Sequence, residues 1–336
     1  MTTETRLPEG CTVRPATKDD AQAMLEIYHA VSLHYTGEIE ETLEEIHEAF
    51  DEPFMNPQLD TRVVYDANGR LVGFGWVTFR VPQDVDIDLY TPPDTWATDT
   101  AVIDYLCAWA DDRAHDALKR LPENERVTLT AWCYAQDDWY RAKLEQIGLK
   151  RVRSSYQMWI DFDGAVAPAP FPEGVTVRTV TQDEDWHRVY AARREAWHDM
   201  WGYIPRTYEE DYADWLLYWK NNFHEDYWFI AEKDDLVIAL TLCTPTYNGA
   251  DDIAYVATVG VRRAYRKQGL GLALLRHALG RLQERGKRAA ALYVDASSLT
   301  GAVALYERAG MHVKQRYDRM QKELRAGDDQ RIHALD

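Results

Sequence analysis

The stretch Val259-Gly260-Val261-Arg262-Arg263-Ala264-Tyr265-Arg266-Lys267-Gln268-Gly269-Leu270-Gly271-Leu272 decides the fold of this chain. It is typical of a strand that ends in a basic turn, with two glycines at the start of the following helix. A chain that turns this tightly into a helix points several backbone N–H groups into one concavity, where the helix dipole favours an anion. Positive charge comes from Arg262, Arg263, Arg266 and Lys267, and the two glycines, which lack a Cβ, leave the backbone open to a ligand. The stretch therefore predicts a site for a phosphate or pyrophosphate group.

The spacing of this turn separates it from two common phosphate-binding motifs, Gly-x-Gly-x-x-Gly and Gly-x-x-x-x-Gly-Lys-Ser/Thr. It matches Gln/Arg-x-x-Gly-x-Gly/Ala instead. Residues 291–295 are typical of the next strand, and residues 301–311 predict a helix that carries Leu305-Tyr306-Glu307 and ends at Gly310. Two motifs in this order resemble the pyrophosphate loop and the later helix of the GCN5-related N-acetyltransferase (GNAT) family. The resemblance covers about residues 175–324 and implies acetyl-CoA as the cofactor.

Length, charge and cysteine content narrow the class of protein. At roughly 100–200 residues per domain, 336 residues predict two domains. The formal net charge of −18 disfavours nucleic acid and anionic membranes and attracts cations such as amines. No apolar stretch approaches the ~20 residues that span a bilayer, and residues 1–6 contain no signal region, so we expect a soluble cytoplasmic protein. The scattered cysteines predict reduced thiols and no metal site: Cys11, Cys107, Cys133 and Cys243.

The chain contains an internal repeat. Residues 8–14, Pro-Glu-Gly-Cys-Thr-Val-Arg, recur as residues 172–178, Pro-Glu-Gly-Val-Thr-Val-Arg. Residues 144–148 parallel residues 306–310, and Met158 and Met320 keep nearly the same offset. The repeat predicts a duplicated domain of about 160 residues. The predicted boundaries are a first domain at 1–163, a proline-rich linker at 164–171, a second domain at 172–325 and a loose tail at 326–336.

Strand and helix patterns alternate in both halves. In the first half we expect a strand at 12–14, helices at 18–31 and 38–50, and a hairpin at 62–81 that turns at Asn68-Gly69. In the second half, helices at 186–200 and 208–221 precede a hairpin at 227–244 that turns near Asp234. The predicted fold class is α/β (an α+β mixed sheet). It consists of two tandem GNAT-like domains, each with a central mixed, mostly antiparallel sheet flanked by helices. The resemblance implies that the fourth and fifth strands splay apart.

The first half lacks the phosphate-binding features of the second. Residues 90–100 stand where the turn is expected, and they contain no glycine. Asp94 and Asp99 would repel a phosphate, and Pro92 and Pro93 lack N–H donors. Leu144 stands where the second half has a tyrosine. We therefore expect the first domain to be a degenerate, non-catalytic copy that covers the second or shapes its acceptor cleft.

The resemblance assigns the contacts to the cofactor. It implies that backbone groups of residues 259–261 pair with the pantetheine amides in the manner of an added strand. Residues 266–272 would wrap the pyrophosphate, and Ser298 stands near the position of an asparagine that many relatives carry. Tyr306 would protonate the leaving thiolate. The implied cofactor-binding set is Val259, Gly260, Val261, Arg266, Lys267, Gln268, Gly269, Leu270, Gly271, Leu272, Ser298, Ala302 and Tyr306.

No general base stands out in the sequence. Some relatives place a glutamate on the fourth strand, and the corresponding residue here is Tyr255, our second catalytic candidate after Tyr306. Tyr255 and Thr258 could hold a water molecule that relays the proton. The alternatives are Glu195, His198 and Asp199, or a route through bulk water.

Aromatic side chains crowd residues 197–228, the region that forms the acceptor side in the family. Four of them recur at helical spacing and predict a stripe that faces the core: Tyr208, Tyr212, Trp215 and Trp219. Others lie off that stripe and predict a site for an ammonium group through cation–π and ionic contacts: Asp199, Trp201, Tyr203 and Tyr218.

These features favour an N-acetyltransferase that moves an acetyl group from acetyl-CoA to a primary amine of a small cationic molecule by direct attack in a ternary complex. The alternatives are a CoA-binding sensor or interaction protein, and an enzyme that acetylates protein N-termini or lysines. Retention of Tyr306 beside an intact loop favours an enzyme. We expect a small-molecule amine as the partner, no nucleic acid, and either a monomer with pseudo-twofold tandem domains or a homodimer.

Overall fold

The computed structural model describes residues 7, 9–98, 100–329 and 331, which fold into two units. Unit 1 contains the described residues up to Ser154 together with Arg316–Asp329, and unit 2 contains Ser155–Gln315 and Arg331. Parts of the sequence discussed above lie outside the described residues. They are residues 1–6, Pro8 of the repeat, Asp99 of the first-half turn, and residues 330 and 332–336 of the predicted tail.

Strands and helices alternate in both halves of the chain, as predicted. The first half contains β1 (Thr12–Arg14), α1 (Ala21–Thr36), α2 (Leu43–Asp51), α3 (Pro57–Asp60), β2 (Thr61–Tyr65), β3 (Leu71–Val81), β4 (Asp84–Tyr90), α4 (Ala101–Ala114), β5 (Val127–Tyr134), α5 (Asp138–Gln146) and β6 (Lys150–Asp161). The second half contains β7 (Thr176–Thr179), α6 (Gln182–Trp197), α7 (Tyr208–Asn222), β8 (Trp228–Lys233), β9 (Leu236–Thr244), β10 (Ile253–Val261), α8 (Leu270–Glu284), β11 (Ala289–Asp295), α9 (Ala302–Ala309) and β12 (His312–Arg325).

Each unit is built on one mixed, mostly antiparallel sheet. The strand order is β1-β2-β3-β4-β5-β12 in unit 1 and β7-β8-β9-β10-β11-β6 in unit 2. Neighbouring strands run antiparallel except in the pairs β4–β5 and β10–β11, which are parallel. The predicted fold class is confirmed for both units.

The parallel pair of each unit separates part of the way along its length. In unit 2, β10 pairs with β11 only from Ile253 to Tyr255, whereas its pairing with β9 continues to Val261. In unit 1, β4 pairs with β5 from Asp84 to Ile87, and its pairing with β3 continues to Tyr90 at the other end of the strand. Each sheet therefore contains a gap in which one edge of a strand has no strand partner.

The last strand of each sheet comes from the other half of the sequence. Residues 155–161 of β6 pair with β11 in unit 2, and residues 317–325 of β12 pair with β5 in unit 1. Met158 is consequently buried in the core of unit 2, and Met320 in the core of unit 1. The units therefore depart from the predicted domains 1–163 and 172–325, in which each copy keeps its own last strand.

The predicted linker and tail are also anchored where the structure describes them. Gln283 of α8 donates from its side-chain amide to the carbonyl of Gly164, and its amide oxygen accepts from the N–H of Val166. In the tail, the backbone of Asp328 exchanges hydrogen bonds with Asn124 and Arg126. The linker thus belongs to unit 2, and residues 326–329 of the tail belong to unit 1.

Local sequence determines where several elements begin and turn. Thr42 and Glu45 form a reciprocal capping box, and this starts α2 at Leu43 rather than at the predicted residue 38. Ile39 therefore lies outside the helix and is 48% exposed. The predicted turn at Asn68-Gly69 is confirmed, with Gly69 at φ 78°. No helix within the described ranges is long and apolar enough to cross a bilayer.

The same ion pair ties the first strand to the first helix in both units. Arg14 donates two hydrogen bonds to Asp20 at 2.6 and 2.7 Å, and Arg178 donates two to Asp185 at 2.5 and 2.7 Å. In each unit the backbone N–H of the threonine that precedes the helix donates to the same carboxylate. The hydrogen bonds from Arg178 lower the pKa of Asp185 to about 2, although burial opposes this shift. The duplication thus extends to an ion pair between a partly exposed arginine and a buried aspartate.

We expect Asp185→Asn to lower the free energy of unfolding at pH 7 by about 1–2 kcal/mol, a value discounted because Arg178 is partly exposed. The folded-state pKa of about 2 lies below the ordinary value of 3.8. The unfolded chain therefore binds the proton more tightly, and the stabilisation is present above about pH 4 and lost as the pH falls toward 2. Urea unfolding between pH 2.5 and 7 measures this, with exposed Asp251→Asn as the control. An identical acid dependence in the wild type and Asp185→Asn would contradict the prediction.

Candidate functional site

The gap between β10 and β11 leads to the turn with which the sequence analysis began. β10 ends at Val261, a short 3-10 turn spans Arg263–Tyr265, and α8 begins at Leu270. Helix α9 follows β11 and packs against α8. The open strand edge, the turn and the start of α8 therefore border one region of unit 2.

The two glycines of the turn have different roles. Gly269 has φ 82°, and a Cβ built on it would meet no atom within 4 Å, so its backbone is open on that side. A Cβ on Gly271 would lie 3.0 Å from Leu305 and 3.3 Å from Val261. The lack of a Cβ at Gly271 therefore allows α8 to pack closely on its neighbours. Lys267 also has positive φ, at 61°, which few residues other than glycine adopt.

Six consecutive backbone N–H groups at this turn have no protein acceptor. Within the described residues, no carbonyl or side chain accepts a hydrogen bond from the N–H of any residue between Lys267 and Leu272. The next N–H in the chain, that of Ala273, is already bonded to the carbonyl of Gly269 at 3.0 Å. Unpaired donors at a helix N-terminus form a site for an anion.

The arginines of the turn bind acidic residues of α6 and of the segment after it. Arg263 and Arg266 each donate to a different oxygen of Asp199, and Arg262 donates to Glu195. Asp199 is only 2% exposed. Its burial opposes ionisation, but the two guanidinium groups lower the pKa of its carboxyl. These ion pairs hold the backbone of the turn in place. The arginines therefore stabilise the turn itself and do not only supply positive charge to a ligand.

Lys267 is the basic side chain of the turn that stays available. It is exposed and forms no ion pair or hydrogen bond with any residue that the structure describes. Arg266, by contrast, donates from Nε to the carbonyl of Val261 at 3.0 Å and is largely covered. An anion at this turn would therefore meet six N–H groups and one lysine.

Tyr306 lies in α9 and is 8% exposed, within the core that also holds α8. Its hydroxyl group forms no hydrogen bond with the described residues and is therefore available to a ligand. Burial raises the pKa of Tyr306 to about 12. The phenol is consequently protonated at neutral pH.

Tyr255 is part of a group of tyrosines along the β10–β11 gap. Its ring stacks on Tyr247 at 5.5 Å between centroids, and Tyr247 shares a hydrogen bond of 2.7 Å with Tyr293. Burial first, and then the phenols of Tyr218, Tyr247 and Tyr306, raise the pKa of Tyr255. The structure therefore places both predicted catalytic tyrosines in one neighbourhood, together with Tyr218 of the predicted acceptor set. Sequence analysis missed Tyr247 and Tyr293, because no motif links them.

The other candidates for a general base differ in their surroundings. Thr258 is buried on β10, beside the irregularity between Val256 and Thr258 in the pairing with β9. Glu195 and Asp199 are already bound to arginines of the turn. The ring of His198 lies 5.4 Å from that of Tyr203. None of these four candidates thus offers a free carboxylate beside Tyr255.

The predicted acceptor residues differ in their surroundings. Asp199 supports the turn, whereas the hydroxyl group of Tyr203 donates to Asp211 at 3.4 Å. Trp201 is half-buried, and Tyr218 is 51% exposed. The core-facing stripe of α7 is confirmed, since its members belong to one packed cluster: Tyr208, Tyr212, Trp215 and Trp219.

Ser298 lies in the loop between β11 and α9. Its hydroxyl group hydrogen-bonds Thr300 and accepts from the Thr300 N–H, so it stabilises a local turn. Ala302 begins α9 and packs against the core of unit 2. Within the part of the chain that the structure describes, no three His, Cys, Asp or Glu side chains could together hold a metal ion.

Comparisons with known proteins match the region that contains this site. Residues 186–311 match the family described as Acetyltransferase (GNAT) family. Among curated relatives, a mycothiol acetyltransferase of Amycolatopsis mediterranei is 33% identical over 201 residues, which are 57% of this chain and 65% of the relative. One of Streptomyces scabiei is 31% identical over 187 residues, 54% of this chain and 58% of the relative. The chain thus matches about three-fifths of the length of these relatives.

Solved structures match nearly the whole chain. A GCN5-related N-acetyltransferase from Sphaerobacter thermophilus superposes with a TM-score of 0.83 at 27% identity, over 98% of this chain and 100% of that one. A tandem GNAT protein from the clavulanic acid biosynthesis pathway superposes with a TM-score of 0.69 at 17% identity, over 95% and 100%, and shows the fold alone. The open sheet, the turn and the later tyrosine helix agree with these matches, and residues 186–311 of this chain are similar to the GNAT acetyltransferase family.

Proposed function

We propose that unit 2 is an acetyl-CoA-dependent N-acetyltransferase that acts on the primary amine of a small molecule. The observation that carries this proposal is the run of six unpaired N–H groups from Lys267 to Leu272, close in the fold to a protonated phenol at Tyr306. The relatives named mycothiol acetyltransferase support a small-molecule acceptor.

The residues present fit the cofactor. The N–H groups of residues 267–272 and the ammonium of Lys267 would hold the pyrophosphate, and the open side of Gly269 leaves room for it. The edge of β10 from Val259 to Val261 has no strand partner on the β11 side and would pair with the pantetheine amides as an added strand. Ala302 and Ser298 would border the same region. When bound, acetyl-CoA supplies an acetyl group activated as a thioester.

Tyr306 holds a proton at its phenolic oxygen, because its pKa of about 12 lies well above neutral pH. We assign it to the protonation of the leaving sulfur, which develops negative charge as the amine attacks. The phenol has no competing hydrogen bond with the described residues, so it needs no rearrangement before it donates.

Tyr255 is unsuited to act as an anionic base, because burial and the neighbouring phenols raise its pKa. Its hydroxyl group can instead orient a water molecule that accepts the proton of the amine. Tyr218 lies close to Tyr255, and we therefore propose that it contacts the acceptor amine. Contacts of Trp201 and Tyr203 with the acceptor remain predictions. Asp199 acts here as a support of the turn, because Arg263 and Arg266 occupy its carboxylate.

The cofactor proposal predicts one acetyl-CoA site per chain. Gly269→Glu should weaken binding at least 100-fold, because it places a carboxylate where the pyrophosphate would lie and strains a residue at positive φ. Gly286→Glu is the matched control, since Gly286 also has positive φ and open space but lies beyond the other end of α8. Titration calorimetry measures both variants. Two sites per chain would contradict the assignment of unit 1 as degenerate, and no binding by the wild type would reject the proposal.

The catalytic proposal predicts that Tyr306→Phe lowers kcat about 10²–10³-fold while acetyl-CoA affinity changes little, because only the proton donor is removed. Release of the CoA thiol with a panel of amines measures kcat, and calorimetry measures affinity. Tyr105→Phe in unit 1 is the control for loss of a phenol. Unchanged kcat in Tyr306→Phe would remove its catalytic role.

The acceptor that gains the acetyl group distinguishes a small-molecule acetyltransferase from a protein acetyltransferase and from a CoA-binding sensor. Mass spectrometry after incubation with small amines and with lysine-containing peptides shows which class gains the acetyl group. Acetylation of peptides alone would favour a protein acetyltransferase, and cofactor binding without transfer to either class would favour a sensor.

A further inference from the structure

Arg193 of α6 carries a positive charge that no anionic group within the described residues neutralises by direct contact. Its Nε atom is buried and donates to no acceptor. The rest of its guanidinium group likewise forms no hydrogen bond and no ion pair with any residue that the structure describes. Removing part of a guanidinium group from water is unfavourable unless an acceptor takes the place of the water. The surroundings of Arg193 therefore call for an acceptor that the described residues do not supply.

The next residue along α6 has the partners that Arg193 lacks. Arg194 donates to the carbonyl of Arg206 at 2.8 Å, and its Nε lies 3.8 Å from a carboxylate oxygen of Asp211. The hydroxyl group of Tyr203 donates to the same carboxylate at 3.4 Å. The charge of Asp211 also acts on Arg193, although from beyond the distance of an ion pair. Two guanidinium groups thus share one carboxylate, and one positive charge is left over.

The ring of Trp197 supports the guanidinium group of Arg193. Trp197 follows one turn later on α6, and Cζ of Arg193 lies over its ring at 4.0 Å from the centroid. A ring at this distance stabilises the positive charge and holds the side chain in place. The N–H donors of arginine form a planar fork that matches the two oxygens of a carboxylate. The fork is therefore held ready for a ligand of this shape.

Arg193 lies on the face of α6 that covers the open part of β10. Tyr190, three residues before it, packs in one cluster with Ala257 of β10. Ala196, three residues after it, meets Gly260 of β10, where an added Cβ would lie 3.0 Å from the Cβ of Ala196. Residues three apart on a helix are neighbours on its surface. Arg193 therefore lies over the stretch of β10 that has no strand partner on the β11 side.

We propose that the acceptor of unit 2 carries a carboxylate as well as its amine, and that Arg193 binds this carboxylate. The inference rests on the proposed function, because it assigns a group of the substrate to the site of acetyl transfer. A carboxylate there supplies both the hydrogen-bond acceptor and the negative charge that Arg193 lacks. The net charge of −18 attracts any amine from a distance, whereas Arg193 selects amino acids and similar amines over purely cationic ones.

The test uses the full chain and pairs of amines that differ only in the carboxylate, namely β-alanine and 4-aminobutanoate with their amides. Acetyl transfer from acetyl-CoA gives kcat and KM, and titration calorimetry in the presence of CoA gives the affinity for each amine. For the wild type we expect each acid to exceed its amide at least about tenfold in kcat/KM and in affinity. Calorimetry needs no turnover, so it separates failure of this inference from failure of the proposed acetyl transfer.

Arg193→Gln should abolish the preference for the acids, mainly by raising their KM, because it removes the charge and the fork. Arg193→Lys should keep part of the preference, since an ammonium group is a point charge and does not form the two parallel hydrogen bonds. Neither variant breaks a hydrogen bond within the described residues, so we expect both to fold, and circular dichroism checks this. Arg281→Gln removes an exposed arginine of α8 and is the matched control, which should keep the wild-type preference.

Equal affinity of the acids and their amides for the wild type would overturn the proposal, and so would the absence of binding by both acids. An unchanged preference in Arg193→Gln would also overturn it, because another cation would then bind the carboxylate. A merely structural role of Arg193 predicts this last result together with a lower melting temperature of the variant. Tighter binding of 2-aminoethyl phosphate than of β-alanine would overturn the assignment of a carboxylate in favour of a phosphate group.

Discussion

The separation of a parallel strand pair is the constraint on which the rest of the structure depends. Backbone N–H and C=O groups must find partners when they are removed from water. After Tyr255, β10 has no strand on its β11 side, and this edge then runs into a turn whose N–H groups are also unpaired. Unit 2 therefore presents a continuous line of backbone donors and acceptors that only a ligand or water can satisfy. The acidic residues behind the turn hold it in this open form.

Duplication preserved the backbone and changed the side chains. Both units retain the strand separation and the arginine–aspartate pair between the first strand and first helix. In unit 2 the gap is followed by a turn with six free N–H groups, whereas in unit 1 it is followed by Pro92 and Pro93 and lined by Asp88. The two openings therefore differ in charge and in N–H donors although the strand pairing around them is the same.

Much of the fold and part of the site could be predicted from short stretches of sequence. The turn at residues 262–269, the hairpin at Asn68-Gly69 and the stripe of α7 depend on positive φ, turn chemistry and helical spacing, which neighbouring residues determine. The start of α2 was mispredicted. The apolar periodicity extends back to Ile39, whereas the capping box at Thr42 makes the helix begin only at Leu43. The partners of Asp199 and of the arginines were not predicted, since the residues concerned are more than sixty positions apart.

The sequence by itself determined the repeat, the basic turn with its two glycines, the position of Tyr306 and the absence of such a turn from the first half. Each of these is a property of a few adjacent residues. Only the tertiary structure decided that Met158 and Met320 pack in units other than their own repeats, and that Arg263 and Arg266 share the carboxylate of Asp199. Strand pairing and burial depend on which distant segments come together, and alternating apolar residues fit the edge of either sheet equally well.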